Sequence, residues 1–167
     1  MSESTSGTEA IPNLWPGEFK VDVQTPYTIL RIQANLLGKM TSAILVGDVE
    51  TESVEKKTQH RLVVVAPAYH GYRHNLVVAI HNPDLPYPAE VRSQSLHARQ
   101  GYIPIPVVTF SPDGYPIVNS DDEMRAVVAH ALRSDETKAL ILSLIAKSNE
   151  AMSSSATAPQ AGAGDSG

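Results

Sequence analysis

The sequence predicts an α+β domain: an antiparallel sheet of about four strands, a meander, packed against an N-terminal helix and one or two C-terminal helices. Three features of the hydrophobic pattern favour this fold. An early segment repeats apolar residues every three to four positions, and three consecutive β-branched stretches follow it. The last part of the chain then returns to the helical period. Because the links between the β-rich stretches are short, neighbouring strands should run antiparallel.

The composition of the chain ends sets the limits of the folded unit. Residues 1–13 are rich in Ser, Thr, Glu and Gly, and residues 151–167 are small and polar. Such segments have little apolar surface to bury, so we expect both tails to be disordered. This leaves residues 14–150 as a single α+β domain, a normal size for one hydrophobic core.

The first helix is predicted to begin at Pro26, which fits the first helical position after the N-cap residue Thr25. Gly38 is a candidate for the C-terminal cap, with Met40 as the alternative end of the last turn. One apolar face follows from spacings of three and four residues, through Tyr27, Leu30, Ala34 and Leu37.

Three β-rich stretches follow this helix, and the natural centres of the turns between them are Lys56-Lys57 and His70-Gly71. A two-residue turn at His70-Gly71 requires positive φ at both positions, which Gly adopts freely and His more often than most residues. The strands are predicted within residues 43–54, 60–68 and 72–82.

This turn would set Tyr69 opposite Tyr72, and His60 opposite His81 at the far end of the hairpin. The alternation then divides the strands into two largely apolar faces. One face has smaller side chains that would allow a helix to approach closely: Leu62, Val64, Ala66, Ala68, Val77 and Ala79.

The region after Asn82 is rich in proline. A short edge strand is expected at residues 87–92, because proline in a sheet is tolerated at an edge. Residues 93–100 form either a loop or one helical turn. A Ser-Pro-Asp-Gly turn predicts a small peripheral hairpin between residues 107–110 and 115–118.

The chain ends in helical segments. Ser120 and Glu123 have the spacing of a capping box, and acidic residues fill the first turn, where the helix dipole favours them. A second helix restarts at Ser134, and its apolar face continues to about Asn149. This last helix should pack either on the sheet or on a second copy of the protein.

Composition excludes several functional classes. The net charge of -5 gives no sign of a basic surface that would bind phosphate groups, so nucleic acid is not an expected partner. The absence of cysteine removes disulfides, thiolate nucleophiles and Cys-ligated zinc. We see no signal peptide and no apolar run that could cross a membrane, so a soluble cytoplasmic protein is expected.

No catalytic motif stands out. The nearest approach to a metal site is the pair His60 and His81, which supplies two ligands without a third residue that the sequence can place beside them. Asp48 with Glu55, Lys56 and Lys57 is similar to the acid and lysine pattern of metal-dependent nucleases, although a solvated turn explains these residues better. We therefore predict no metal and no cofactor.

Two polar and aromatic segments remain as candidates for binding a partner. One is the turn between two strands, and the other is the locally basic stretch after the predicted edge strand. The candidate residues are Tyr69, His70, Tyr72, Arg92, His97 and Arg99.

The sequence therefore favours a non-enzymatic domain that binds another protein or itself, for example as a homodimer. The alternative is a small enzyme, such as a metal-dependent hydrolase or nuclease, whose His and Asp or Glu residues are brought together only by folding.

Overall fold

The structure is a computed structural model that describes residues 11–98 and 109–157. One helix precedes a six-stranded antiparallel sheet, and two helices follow it. The predicted α+β class is confirmed. The elements are α1 (Pro26–Met40), β1 (Val46–Val54), β2 (Lys57–Ala66), β3 (Tyr72–His81), β4 (Ala89–Arg92), β5 (Thr109–Phe110), β6 (Pro116–Val118), α2 (Asp121–Leu132) and α3 (Asp135–Ala156).

The sheet has six strands rather than about four, in the order β1-β2-β3-β4-β6-β5. The predicted hairpin after residue 107 joins the main sheet, because β6 pairs with β4 and sets Val118 opposite Ala89. β4 is therefore an internal strand, and the prediction of an edge strand at residues 87–92 is wrong. The one proline of that stretch, Pro88, precedes Ala89, so it removes no N–H from the ladder.

The predicted N-caps are confirmed. Thr25 accepts a hydrogen bond from the N–H of Thr28, and Ser120 accepts one from Glu123. The Gly38 cap is wrong, because α1 continues to Met40 and is capped by Thr41. The Thr41 hydroxyl donates to the carbonyl of Leu37 at 2.9 Å, which satisfies one of the last helical acceptors.

Both β-turns differ from the prediction by small shifts. Glu55 and Lys56 have φ values of 49° and 64°, so the first turn is centred one residue before Lys56-Lys57. In the second turn His70 and Gly71 do adopt positive φ, at 52° and 65°. The loop is longer than two residues, however, because β2 ends at Ala66, before a proline that cannot donate to the ladder.

The register of the second hairpin therefore differs from the prediction. Tyr72 lies opposite Ala66 rather than Tyr69. Leu62 pairs with Val77 while Val63 pairs with Asn75, so Leu76 is an extra residue and forms a β-bulge in β3. Leu76 and Val77 are adjacent and both buried. The bulge thus allows two consecutive residues to enter the core.

The helices cover the sheet face with the smaller side chains, as the alternation predicts. The core cluster joins residues of α1 and α2 with the strand residues Leu62, Val64, Ala66, Val77 and Ala79. The closest approach is at Gly47 in β1, where an added Cβ atom would lie 2.4 Å from the backbone oxygen of Ala34. Only glycine allows α1 to pack at this distance.

The ends of the sheet lead into the remaining helical segments. Residues Gln94–Leu96 form a single 3-10 turn, which is one of the two predicted alternatives for this stretch. Ser134 caps α3 by accepting from the N–H of Thr137. This helix runs to Ala156, beyond the predicted end near Asn149, and Leu144 and Ser148 are its buried residues.

Candidate functional site

An apolar depression of about 600 Å³ lies between the C-terminal half of α1, the end of α2 and the first turns of α3. We call it the α1–α3 groove. Its floor includes Leu76, the bulged residue of β3. The groove is lined by Gln33, Leu36, Leu37, Met40, Leu62, Leu76, Leu132, Arg133, Thr137, Lys138, Ile141 and Leu142.

The rim of this groove exposes large apolar side chains to water. Met40 is 83% exposed and Leu142 is 61% exposed, although both belong to regular helices. The only charged residues among those lining the groove are Arg133 and Lys138. Contiguous exposed apolar surface with a polar rim is typical of a binding site for another chain.

A second unpartnered apolar feature precedes α1. Every residue from 11 to 25 is exposed, and we call residues 11–24 the N-terminal arm. It includes the single tryptophan of the chain, Trp15, which contacts Phe19 at a ring distance of 6.2 Å. The large exposed apolar side chains of the arm are Ile11, Leu14, Trp15, Phe19, Val21 and Val23.

Within residues 11–98 and 109–157, the hydrogen bonds between the arm and the rest of the domain are made by Gln24, next to α1. The Tyr87 hydroxyl donates to the Gln24 carbonyl at 2.7 Å, and Arg125 in α2 donates to the Gln24 side chain at 3.0 Å. Burial, together with the nearby Asp121 carboxylate, raises the pKa of Tyr87 and keeps this phenol a donor. The anchor fixes where the arm leaves the domain.

The second half of the arm has the alternation of a β-strand. Phe19, Val21 and Val23 alternate with Lys20 and Asp22, so an extended chain would present one apolar edge. This pattern is the signal in the sequence by which the arm could have been recognised. The groove has no such signal, because its residues come from five separate elements.

A pair of buried histidines lies on the helix-covered face of the sheet. Their predicted direct pairing is wrong, because Ala79 lies opposite His60 and Thr58 lies opposite His81. The two rings nevertheless meet diagonally, and their Nε2 atoms are 3.0 Å apart. The exposed fractions are 7% for His60 and 8% for His81.

Each imidazole is held at its other nitrogen by an oxygen. His81 Nδ1 lies 2.7 Å from the Asn82 carbonyl and 3.0 Å from that of Leu85, so it must donate. His60 Nδ1 lies 2.8 Å from the Thr51 hydroxyl. In the neutral pair, His81 Nε2 accepts from His60 Nε2–H, and Thr51 donates to His60 Nδ1.

The surroundings of His60 disfavour its cation. Burial, and to a smaller extent the neighbouring His81, lowers the pKa of His60 from 6.5 to about 4. The Tyr27 ring of α1 also packs on this imidazole, with 5.5 Å between ring centroids. Both imidazoles are therefore oriented by the fold before any ligand is present.

The predicted partner-binding residues fall into two separate places. At the β2–β3 turn, the Tyr69 ring lies 5.7 Å from that of His70 and 6.0 Å from that of Tyr72. Lys147 of α3 places its ammonium group 5.3 Å from the centre of the Tyr69 ring. These three turn residues form one aromatic surface beside α3, and their role in binding stays a prediction.

The second predicted group surrounds Tyr115. The Arg92 guanidinium lies 5.4 Å from the centre of this ring and also contacts Asp113 at 3.1 Å. The His97 ring meets Tyr115 edge-on at 5.1 Å. Arg99 lies outside the described residues. Arg92 pairs with Val78, which is about 20 Å along β3 from Tyr72, so the two predicted groups do not form one site.

The acidic residues of the nuclease-like pattern are not brought together. Asp48 lies in β1 and contacts Arg31 and Arg73 at 3.4 and 3.6 Å. Glu55 lies in the turn at the far end of that strand, about 20 Å away. Within residues 11–98 and 109–157, no three His, Asp or Glu residues are arranged to hold one ion.

Comparison with known proteins adds no relative. No family model, no curated protein and no solved structure matches this chain. In the part of the chain that the structure describes, none of the helices has both the length and the hydropathy of a membrane span. The groove and the arm are therefore the features from which a function can be argued.

Proposed function

We propose that this protein is a self-associating, non-enzymatic domain in which the N-terminal arm of one copy binds the α1–α3 groove of a second copy. A symmetric homodimer would exchange two arms, so that each chain both gives and receives one. The observation that carries the proposal is the presence, in one chain, of an unpartnered apolar arm and an unpartnered apolar groove.

The positions of the two features favour exchange between copies. The arm leaves the domain before Pro26, whereas the groove begins further along the same helix and extends to Met40. With a rise of 1.5 Å per residue, Pro26 and Gln33, the first residue that lines the groove, are separated by about 10 Å. In this structure the arm is exposed along its whole length, so it does not occupy the groove of its own chain.

The charges of the two surfaces are complementary. The charged residues that line the groove, Arg133 and Lys138, are both basic. The arm has two carboxylates, Glu18 and Asp22, against one ammonium, Lys20. Such complementarity contributes more to orientation than to affinity. The arm would therefore bind mainly through its apolar side chains.

Magnitudes favour the exchange of two arms over the binding of one. Burying a large apolar side chain contributes about 1.5–3 kcal/mol, whereas forming a complex costs about 4–15 kcal/mol. For one arm that buries three such side chains, the free energy gained by burial is close to the cost of association. A symmetric pair of arms doubles the gain and incurs the cost of association once.

The proposal is tested by the mass of the protein in solution, measured by light scattering over a range of concentrations. The expected mass of the wild-type protein is twice the 18.0 kDa of one chain. Leu142→Glu places a carboxylate in the groove, and Trp15→Ser with Phe19→Ser removes the main apolar groups of the arm. Both variants should shift the mass toward that of a single chain.

Met152→Glu is the matched control, because Met152 is an exposed apolar residue of the same helix outside the groove. It should leave the dimer unchanged. A wild-type protein that stays a single chain at the highest concentration would contradict the proposal. An equal effect of Leu142→Glu and Met152→Glu would contradict it as well.

A further inference from the structure

We propose that the His60–His81 pair binds one divalent transition-metal ion, such as Zn²⁺, between the two Nε2 atoms. The inference goes beyond the proposed self-association and does not depend on it. It revises the expectation from the sequence that the chain holds no metal. The relative orientation of the two imidazole rings depends on the fold and could not be read from the spacing of the histidines.

The separation of the two nitrogens fits one shared ion. At Zn–N distances of 2.0–2.1 Å, a tetrahedral ion requires its two nitrogen ligands to be about 3.3 Å apart. The Nε2 atoms of His60 and His81 are 3.0 Å apart. A movement of a few tenths of an ångström would open the pair to this geometry.

The outer nitrogens already lie beside oxygen atoms that can accept a ring N–H when a metal is bound. Metal-bound histidines almost always donate the other ring N–H to an oxygen, which fixes the tautomer and aims the ring. His81 Nδ1 has the carbonyls of Asn82 and Leu85 as acceptors, and His60 Nδ1 has the Thr51 hydroxyl.

Binding requires one change of tautomer and no net loss of a proton. In the metal-free pair, His60 carries its proton on Nε2 and accepts from Thr51 at Nδ1. With the ion present, the proton moves to Nδ1 and is donated to the Thr51 oxygen, which frees the Nε2 lone pair. His81 is already in the required tautomer.

The donor set selects the class of ion. Two neutral imidazoles suit Zn²⁺, Cu²⁺ and Ni²⁺, whereas Mg²⁺ and Ca²⁺ require oxygen ligands. Among the residues that the structure describes, the side-chain contacts of the two rings include the Thr51 hydroxyl and the Tyr27 ring but no carboxylate. Water would complete the coordination of the ion.

The test is isothermal titration of the full-length protein with ZnCl₂, with MgCl₂ as a second titrant. The expected result is one bound Zn²⁺ per chain and no binding of Mg²⁺. His60→Phe keeps an aromatic ring against Tyr27 but removes the ligand, so the affinity should fall at least about tenfold. Thr51→Val keeps both imidazoles and removes the group that orients one of them, and it should weaken binding by about tenfold.

His70→Asn combined with His74→Asn is the control for adventitious binding to imidazoles outside the pair, and it should leave the site intact. Circular dichroism verifies that each variant is folded, and Thr51→Val keeps the test decisive if His60→Phe does not fold. The proposal is overturned if the wild-type protein binds no Zn²⁺ in a one-to-one ratio. It is also overturned if the His70 and His74 double variant loses the site, or if Thr51→Val binds as tightly as the wild-type protein.

Discussion

The surroundings of His60 make the stability of the domain depend on pH. In the metal-free protein the pKa of His60 is lowered from 6.5 to about 4 by burial and by His81. Between these two pH values the unfolded chain binds more protons at this residue than the folded chain does. The free energy of unfolding should therefore fall as the pH falls through this window.

The expected loss is about 3 kcal/mol between pH 7 and pH 4, since each pKa unit corresponds to 1.36 kcal/mol. Urea unfolding in the presence of a chelator measures it. His60→Phe should be less stable at pH 7 but should depend less on pH, because the group that must be buried neutral is gone. Equal pH dependence in the two proteins would show that other groups dominate.

At the scale of single residues, the sequence predicted helix caps and backbone conformation well, and contacts between distant residues less well. The N-caps Thr25 and Ser120 were predictable because capping depends on neighbours within three residues. The positive φ of His70 was predictable for the same reason. The contact of His60 with His81 was expected, but its diagonal geometry depends on the bulge at Leu76, for which the sequence has no local signal.

At the scale of elements, the packing of α1 on β1 depends on the absence of a side chain at Gly47. An added Cβ atom would lie 2.4 Å from the Ala34 oxygen and 2.5 Å from the Ala34 Cα atom. Both atoms belong to the backbone, so no side-chain rotation can relieve the contact. The helix would have to move away from the sheet.

Gly47→Ala should therefore destabilise the domain by about 1–3 kcal/mol, the usual range for overpacking. Gly38→Ala is the opposite case, because its Cβ atom would lie 3.9 Å from the Leu45 oxygen within a regular helix. This change should stabilise the domain by about 0.5–1 kcal/mol. Urea midpoints measure both, and the same sign for both substitutions would contradict the close packing at position 47.

The existence and type of the elements followed from periodicity, but their connections did not. The helical and alternating patterns predicted α1, the first three strands and the two final helices. The insertion of β6 beside β4 rests on pairing between residues distant in sequence, such as Ala89 and Val118. The prolines before β4 suggested that it is an edge strand, whereas the hydrogen-bonded pairing of β4 begins just after the last of these prolines.

At the scale of the whole molecule, arm exchange predicts that two defective chains complement one another. A chain that lacks residues 1–23 keeps the groove, and a full-length chain with Leu142→Glu keeps the arm. Neither can form a symmetric dimer alone. Mixed together, they should form a heterodimer with one arm in one groove, weaker than the wild-type dimer because one of the two contacts is missing.

Trp15 reports this complex directly, because it is the only tryptophan and the shortened chain lacks it. Its emission should shift to shorter wavelength when the shortened chain is added. The shortened chain that also carries Leu142→Glu should cause no shift. A buried Trp15 in the unmixed full-length variant would instead place the arm on its own chain and contradict the exchange.

The extra residue in β3 has a consequence for how this chain tolerates deletions. Leu76 contributes to the groove floor, and the strand beyond it directs Val77, Ala79 and His81 toward the helices. Because Leu76 is unpaired, loss of this one position would remove the bulge but leave Asn75 opposite Val63 and Val77 opposite Leu62, so His81 would stay on the same side of the sheet as His60. A single codon deletion would thus take one apolar side chain from the docking surface and leave the imidazole pair in place.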